Sequence, residues 1–299
     1  MKTVVIFGGS GFLGRSLIRK LIAKNFRVKI VTRDTEKSAF LKTFAAPDFL
    51  SLIYWDYKNL EQLDKIISTA DIAVNLVGIL AEKNRKDFET FHVNLPKAIA
   101  QICHKYKLEH FVHISALAIE KARKSKYARS KLNGEEAVMD NFSQATILRP
   151  SIIFGESDNF FNKFAKMLKT APFLPLINNG STKFQPIYAE DVAEIILQSL
   201  SNKKYCGKIY EIAGDKIYDF KGLLELVGHY LDKEINFIKL SFAQAKLLAF
   251  FLEFLTKTII TRDQVELLKT DNVLSNNSFK KDFIIHPKAV EEIVPNYIR

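Results

Sequence analysis

The sequence has little of what builds covalent or metal-held frameworks. Its 299 residues include only two cysteines, Cys103 and Cys206, far apart and in no Cys-X-X-Cys pair. That excludes a disulfide framework and a structural zinc site, implies a reducing compartment, and marks both thiols as core residues. The histidines His92, His104, His110, His113, His229 and His286 follow no metal-ligand or triad spacing, so they read as structural and no metal is expected. No internal repeat and no low-complexity linker divides the chain. No run approaches the roughly 20 apolar residues of a membrane-spanning helix. The first apolar run, Val4 to Phe7, is short and leads into glycines, as a buried strand does and a signal peptide does not. No recognised nucleic-acid-binding motif is present, so no specific nucleic-acid partner is expected.

What is abundant is apolar and basic. Hydrophobic residues make up 47% of the chain, enough for a large core and too many for disorder. The net charge is +11. Such a balance describes either a solvated lysine-rich surface or a surface that favours anionic partners such as nucleotides or lipid headgroups.

Along the first half, short β-rich runs alternate with amphipathic helical stretches. Strands are expected at Thr3–Phe7, Val28–Thr32, Leu52–Trp55, Ile72–Val77, Phe111–Ser115 and Ala145–Arg149. Helices are expected near 12–24, 35–44, 60–68, 87–106 and 127–140. This alternation implies an α/β fold with a parallel sheet covered on both faces, whose ligand crevice lies beyond the carboxyl ends of the strands. After Pro150 the texture changes. Residues 150–185 read as loops around one helix. A short strand near 186–188, a helix from Ala189 to Leu200 and a strand at Lys208–Ile212 follow, and from Phe220 the pattern is mostly helical. Two units are therefore expected, 1–150 and a smaller 151–299, with segments such as 186–200 returning to the first.

The strongest local motif is Gly8-Gly9-Ser10-Gly11-Phe12-Leu13-Gly14. It follows a strand and opens a helix, the context in which such a glycine loop binds a dinucleotide. Gly8 permits the tight turn, Gly11 the approach of a pyrophosphate, and Gly14 the packing of helix on strand. The helix then offers unpaired N–H groups and a favourable dipole to the phosphates. The second strand ends Thr32-Arg33-Asp34, 19 residues after Gly14. An acidic residue here suits the ribose hydroxyls of NAD, whereas Arg33 suits a 2′-phosphate, so NADP(H) is favoured over NAD(H). Asp56 either meets an adenine amino group or is an ordinary turn aspartate. Asn75-Leu76-Val77-Gly78 closes the fourth strand, where a glycine lets backbone approach a ligand.

Gly8–Gly14, Asn75–Gly78 and Tyr127-Ala-Arg-Ser-Lys131 together resemble an extended short-chain dehydrogenase/reductase. Arg149-Pro150-Ser151-Ile152-Ile153-Phe154-Gly155, Gln185-Pro-Ile-Tyr-Ala-Glu-Asp-Val192, Thr261-Arg-Asp-Gln-Val-Glu-Leu-Leu268, Asp271-Asn272-Val273 and Pro287–Pro295 narrow the likeness to an atypical branch. That branch comprises bacterial relatives of the dehydrogenase-like accessory subunit of mitochondrial respiratory complex I. The resemblance covers nearly the whole chain. It implies a Rossmann doubly wound sheet, a smaller, mainly helical C-terminal lobe and a bound NADP(H). The cofactor contacts it implies are Gly8, Gly11, Phe12, Leu13, Gly14, Thr32, Arg33, Asp56, Asn75, Leu76, Val77, Gly78, Asn94, Ser115, Tyr127, Lys131, Pro150, Ile152 and Ile153. Asn94 resembles the family's helix asparagine, which steadies the active-site backbone. The implied setting is cytoplasmic, at or near the inner face of a membrane, with a respiratory or quinone-related complex as partner.

In active relatives the tyrosine is the acid/base and the lysine holds the ribose and lowers the tyrosine's pKa. Tyr127 and Lys131 share one helix face. Lys121, Arg123, Lys124, Lys126 and Arg129 surround them, either as activating charge or as a solvated basic loop. The hydroxyl that polarises a substrate carbonyl stands just after the fifth strand in active members. Here Ser115 occupies the strand end, apolar residues follow, and only 12 residues separate Ser115 from Tyr127. Two functions are thus expected. One is a nucleotide-binding protein with weak or no turnover. The other is an active NADPH-dependent reductase, or an epimerase of a sugar or isoprenoid substrate, using Tyr127 and Lys131. Finally, residues 242–257 form a helix with a narrow polar stripe, Lys246, Glu253 and Lys257, which is either buried or interfacial on a membrane.

Overall fold

The computed structural model describes residues 1–170, 173–253 and 260–298. Strands β1 (Thr3–Phe7), β2 (Arg27–Thr32), β3 (Leu50–Tyr54), β4 (Ile72–Asn75), β5 (His110–Ile114) and β6 (Thr146–Pro150) alternate with helices α1 (Phe12–Ala23), α2 (Leu60–Ile67), α3 (Leu95–Lys105) and α4 (Lys126–Asn141). After β6 come β7 (Ile153–Phe154), α5 (Phe161–Thr170), β8 (Phe173–Ile177), β9 (Lys183–Phe184), β10 (Ile187–Tyr188), α6 (Ala189–Ser199) and β11 (Ile209–Ile212). The chain continues through β12 (Tyr218–Asp219), α7 (Phe220–Tyr230), β13 (Asn236–Leu240), α8 (Phe242–Leu252) and α9 (Arg262–Leu267).

The central sheet has seven strands in the order β3-β2-β1-β4-β5-β6-β11, every pair parallel. Its inner strands β1, β4, β5 and β6 are buried on both faces, whereas the edge strands β3 and β11 are partly exposed. One face is covered by α1 and α6, through Leu17, Ile18, Leu21, Val192 and Ile196. The other is covered by α2, α3 and α4, through Leu63, Ile67, Ile99 and Val138. The strand order reverses between β1 and β4, so the crevice for a ligand opens beyond Phe7 and Asn75.

The chain after Pro150 does not form one uninterrupted lobe. Helix α6 packs on α1, and β11 adds the seventh strand beside β6. Phe279 and Phe283 also join the first core. The remaining lobe packs Phe154, Phe161, Phe184, Phe220 and Leu224 together. It contains more strand than its sequence pattern implies: β8 pairs in parallel with β13, and β9 pairs antiparallel with β12.

Other departures are local. Residues 39–44 form a 3-10 turn inside the expected helix 35–44. The expected helix 87–106 breaks into a π-turn, Glu89–Asn94, followed by α3. Helix α4 explains the break. At Gly134 it runs so close that a Cβ would stand 1.9 Å from the His92 carbonyl oxygen. Cys103 is buried as expected, but Cys206 is only half-buried and sits 3.5 Å from His110 Nδ1.

Candidate dinucleotide and active site

The glycine turn is built by steric necessity. Gly8 adopts φ +78°, and a Cβ there would press on the Val77 backbone nitrogen at 3.1 Å. A Cβ at Gly14 would lie 2.2 Å from the Gly9 carbonyl oxygen, so only glycine lets α1 sit on the turn. A Cβ at Gly11 would meet nothing closer than the Gly8 oxygen at 3.1 Å, leaving its outer face open. Gly11 is the N-cap of α1, no side chain caps the helix, and its first turn carries no acid. Its positive end is left for an anion.

Arg15, which the sequence reading did not single out, strengthens this. Its Nε is buried without a hydrogen-bond partner. Its guanidinium lies 5.0 Å from the Phe40 ring centroid. A cation on the first turn of a helix opposes the helix dipole, so it fits a site that takes phosphate. The signal available was a basic residue directly after the third glycine. Leu13 is a core side chain, whereas Phe12 packs under Gly155 at the β7 end of the crevice.

At the end of β2 the two candidates separate. Asp34 is held in its own turn: it accepts the Lys37 backbone N–H at 2.9 Å and pairs with Lys37 Nζ at 2.9 Å. Those hydrogen bonds hold its carboxyl below the usual range. The Thr32 hydroxyl is occupied by Ser38 Oγ at 3.0 Å. Arg33 remains exposed, 5.6 Å from the Phe91 ring centroid. Asp56 is exposed and accepts the Lys58 N–H at 3.2 Å.

Asn75 shapes the crevice from within. It is fully buried, pairs with His113 Nδ1 at 3.1 Å and accepts the Val77 N–H at 3.1 Å. Leu76, Val77 and Gly78 form one wall of a pocket completed by Ile79, Leu80, Ile114, Ser115, Tyr127 and Lys131. Pro150 ends β6, and Ile153 pairs with Ile187 at the far side of the crevice, with half-buried Ile152 beside it.

The role expected of Asn94 falls to His92. The π-turn leaves Asn94 exposed and turns His92 fully inward. Its Nε2 accepts the Ile79 N–H at 3.1 Å, which leaves Nδ1 to donate to Ser130 Oγ at 2.8 Å. Ser130 in turn donates to the Tyr127 carbonyl at 2.8 Å. Burial, and then the charge of Lys131, push the imidazole down to about 3, so it stays neutral at physiological pH. A depressed folded pKa gives stability that is fully present above the unfolded value of about 6.5 and is lost as pH falls toward about 3. Wild type is therefore expected to lose more unfolding free energy than His92→Gln between pH 7 and pH 5, as read by urea titration. Parallel losses would contradict the assignment.

Helix α4 is fixed from the C-terminal side of the chain. Asp263, at the start of α9, accepts hydrogen bonds from Ser125 Oγ (2.8 Å), Lys126 N (2.7 Å) and Tyr127 N (3.0 Å). Asn272 ties the loop after β5 to that after β6. Its amide donates to the Leu117 carbonyl at 3.0 Å, and its Oδ1 accepts from Ser151 Oγ at 2.7 Å. These two residues position the site although they stand far from it in sequence.

The reacting groups converge on the pocket. Lys131 Nζ donates to the Ile114 carbonyl at 2.8 Å and lies 3.9 Å from where a Gly78 Cβ would be. Burial pulls its pKa down to about 8 and pushes the Tyr127 phenol up to about 12. The rise of the phenol comes from desolvation. The pair suits a proton-donating acid far better than a neutral-pH base. Ser115 Oγ is buried without a partner at the same pocket, and Ala116 and Leu117 follow it. The basic loop supplies no side-chain ammonium to the phenol by any described hydrogen bond. Arg129 instead holds the carbonyls of Arg123 and Lys124. No group of three or more metal-ligating side chains occurs among the described residues.

Residues 4–213 match the family described as NAD dependent epimerase/dehydratase family. The chain belongs to that family. Its sequence is 29% identical to NADH dehydrogenase [ubiquinone] 1 alpha subcomplex subunit 9, mitochondrial, of Arabidopsis thaliana, over 92% of this chain and 71% of that protein. It is 25% identical to the NADH-ubiquinone oxidoreductase 40 kDa subunit, mitochondrial, of Neurospora crassa, over 99% of this chain and 79% of that one. The fold matches that of DesIV, a dTDP-glucose 4,6-dehydratase from Streptomyces venezuelae solved with NAD bound. The TM-score is 0.76 at 15% identity, with 99% of this chain and 96% of that one covered. Within this epimerase/dehydratase family the chain is therefore an atypical extended short-chain dehydrogenase-like protein, similar to the respiratory accessory subunits.

Proposed function

We propose that the chain binds NADP(H) in preference to NAD(H), with weak or no turnover, and serves a respiratory or quinone-related membrane complex. The observation that carries this reading is the contrast at the two ends of the crevice. The phosphate end offers an uncapped helix with the partnerless Arg15 Nε, and beside it Arg33 stands free while Asp34 is locked to Lys37. The reacting end offers only apolar residues, Ala116 and Leu117, immediately after Ser115. Similarity to respiratory subunits over almost the whole chain supports the same setting.

A second reading, an active reductase, has its own support: Ser115, Tyr127 and Lys131 face one pocket. NADPH would supply a hydride there, Tyr127 would donate the proton to the carbonyl oxygen, Ser115 Oγ would hydrogen-bond that oxygen, and Lys131 would hold the ribose. Hydride exchange at the nicotinamide separates the two. The favoured reading expects exchange at background level and unchanged in Tyr127→Phe. Steady exchange that falls about a hundredfold or more in Tyr127→Phe supports the reductase.

A further inference from the structure

Helix α8 is packed the wrong way round for a buried helix. Its inward stripe is Ala245 and Ala249, which meet Ile177 and Val265, with half-buried Phe242 packed beside them. Four of its large apolar side chains face outward: Leu247 is 60%, Leu248 42%, Phe250 39% and Phe251 61% exposed. The other exposed helix positions are Ala243 and Gln244; the one charged residue of the helix, Lys246, is paired with Glu266, and the Arg262 guanidinium lies 5.0 Å from the Phe250 ring centroid. Arrayed apolar exposure of this kind marks an interaction surface.

The charge around the face indicates what covers it. The described acids beside the helix all have partners: Glu253 pairs with Arg262 at 2.8 Å, Glu266 pairs with Lys246 and Lys269, and Asp263 accepts from Ser125, Lys126 and Tyr127. Lys126 lies close enough to Glu253 to act on it electrostatically. Lys126 belongs to the basic loop that Asp263 binds to the start of α9, and α9 packs on α8. Lys126, on that side of the helix, and its loop neighbours Arg123 and Lys124 are exposed and make no described ion pair, so the free charge on that side is positive. Among the described residues no helix is long and apolar enough to cross a membrane.

We infer that the outward face of α8, with Arg123, Lys124 and Lys126, docks on the surface of an anionic lipid bilayer. An apolar face with free cations along one side inserts its side chains at the headgroup boundary while the cations meet anionic headgroups. A protein groove would bury the apolar face equally well but gives no role to the unpaired like charges along that side. Helix α9 couples this surface to the pocket, because Leu267 packs in the cluster that contains Tyr127. The pocket mouth, where Leu80 is 54% exposed, is thereby held to an element that rests on the bilayer. Residues 254–257 of the sequence-predicted helix lie outside the described residues and are not needed. The inference stands whether or not the chain binds NADP(H).

Co-sedimentation of the full chain with phosphatidylcholine vesicles, with and without phosphatidylglycerol, tests it. Binding is expected only with phosphatidylglycerol, falling at least about tenfold at high salt and in Arg123→Glu/Lys124→Glu, and lost in Leu247→Glu/Phe251→Glu. Absence of binding by the folded wild type, or binding indifferent to Leu247→Glu/Phe251→Glu, overturns the inference. Self-association that this double variant abolishes, without vesicle binding, assigns the face to a second copy and also overturns it. Hydrogen exchange on the wild type guards against a variant that misfolds. Slowed exchange in 242–252 on adding anionic vesicles is expected, and unchanged exchange counts against the inference.

Discussion

Gly14→Val is expected to weaken dinucleotide binding at least about a hundredfold, a cost of roughly 2.7 kcal/mol. The added Cβ would lie 2.2 Å from the Gly9 carbonyl oxygen, 2.5 Å from its carbonyl carbon and 2.6 Å from its Cα. All three are backbone atoms of the turn itself, so no side chain can swing aside. Relief comes only by lifting the start of α1 off the turn, which moves the unpaired N–H groups and Arg15 that would meet the phosphates. Overpacking of this sort also destabilises by about 1–3 kcal/mol, so far-ultraviolet dichroism and melting must accompany the titration. A folded Gly14→Val protein that binds NADPH like the wild type would show that the phosphates do not use this turn.

Glu135→Ala is expected to cost about 3 kcal/mol or more of unfolding free energy. Arg149, with 9% of its side chain exposed, makes a two-pronged pair with Glu135 at 2.9 Å and 2.6 Å. Glu135 is itself 4% exposed and anchors α4 to the end of β6. Removing it leaves a guanidinium in a site that hides it from water. The remaining partner, Glu120, is 57% exposed and too well solvated to compensate. Glu120→Ala should therefore cost less than about 1 kcal/mol. The combined replacement Arg149→Met/Glu135→Leu should recover most of the loss, because it removes the desolvated charges together. Urea unfolding of the four proteins checks this. Equal losses in Glu120→Ala and Glu135→Ala would mean that burial is not what makes the pair matter.

The parts of the fold legible in the sequence are those whose signal is local. The strands from Thr3 to Phe7 and from Ile72 to Asn75 are mostly apolar because both sheet faces are covered, and Gly8, Gly11 and Gly14 announce their turn by spacing. What could not be read depends on contacts across the chain. The pairing of Phe173–Ile177 with Asn236–Leu240 joins segments some sixty residues apart, and neither carries a mark of its partner. The π-turn at Glu89–Asn94 exists because α4 comes in at Gly134, so the helical period alone hides it. That one extra residue per turn exchanges the roles of His92 and Asn94. Asp263 and Asn272 were visible as pieces of motifs, but only the fold shows that they hold the helix of Tyr127 and the loop after Ser115.

The central claim is that the crevice beyond β1 and β2 takes a dinucleotide whose 2′-phosphate meets Arg33. Calorimetric titration of cofactor-stripped protein with NADPH and with NADH, repeated on Arg33→Ala, tests it most directly. The account predicts binding of both, tighter for NADPH by about tenfold or more, with the preference lost in Arg33→Ala while NADH affinity is kept. Failure of the folded wild type to bind either nucleotide would contradict it.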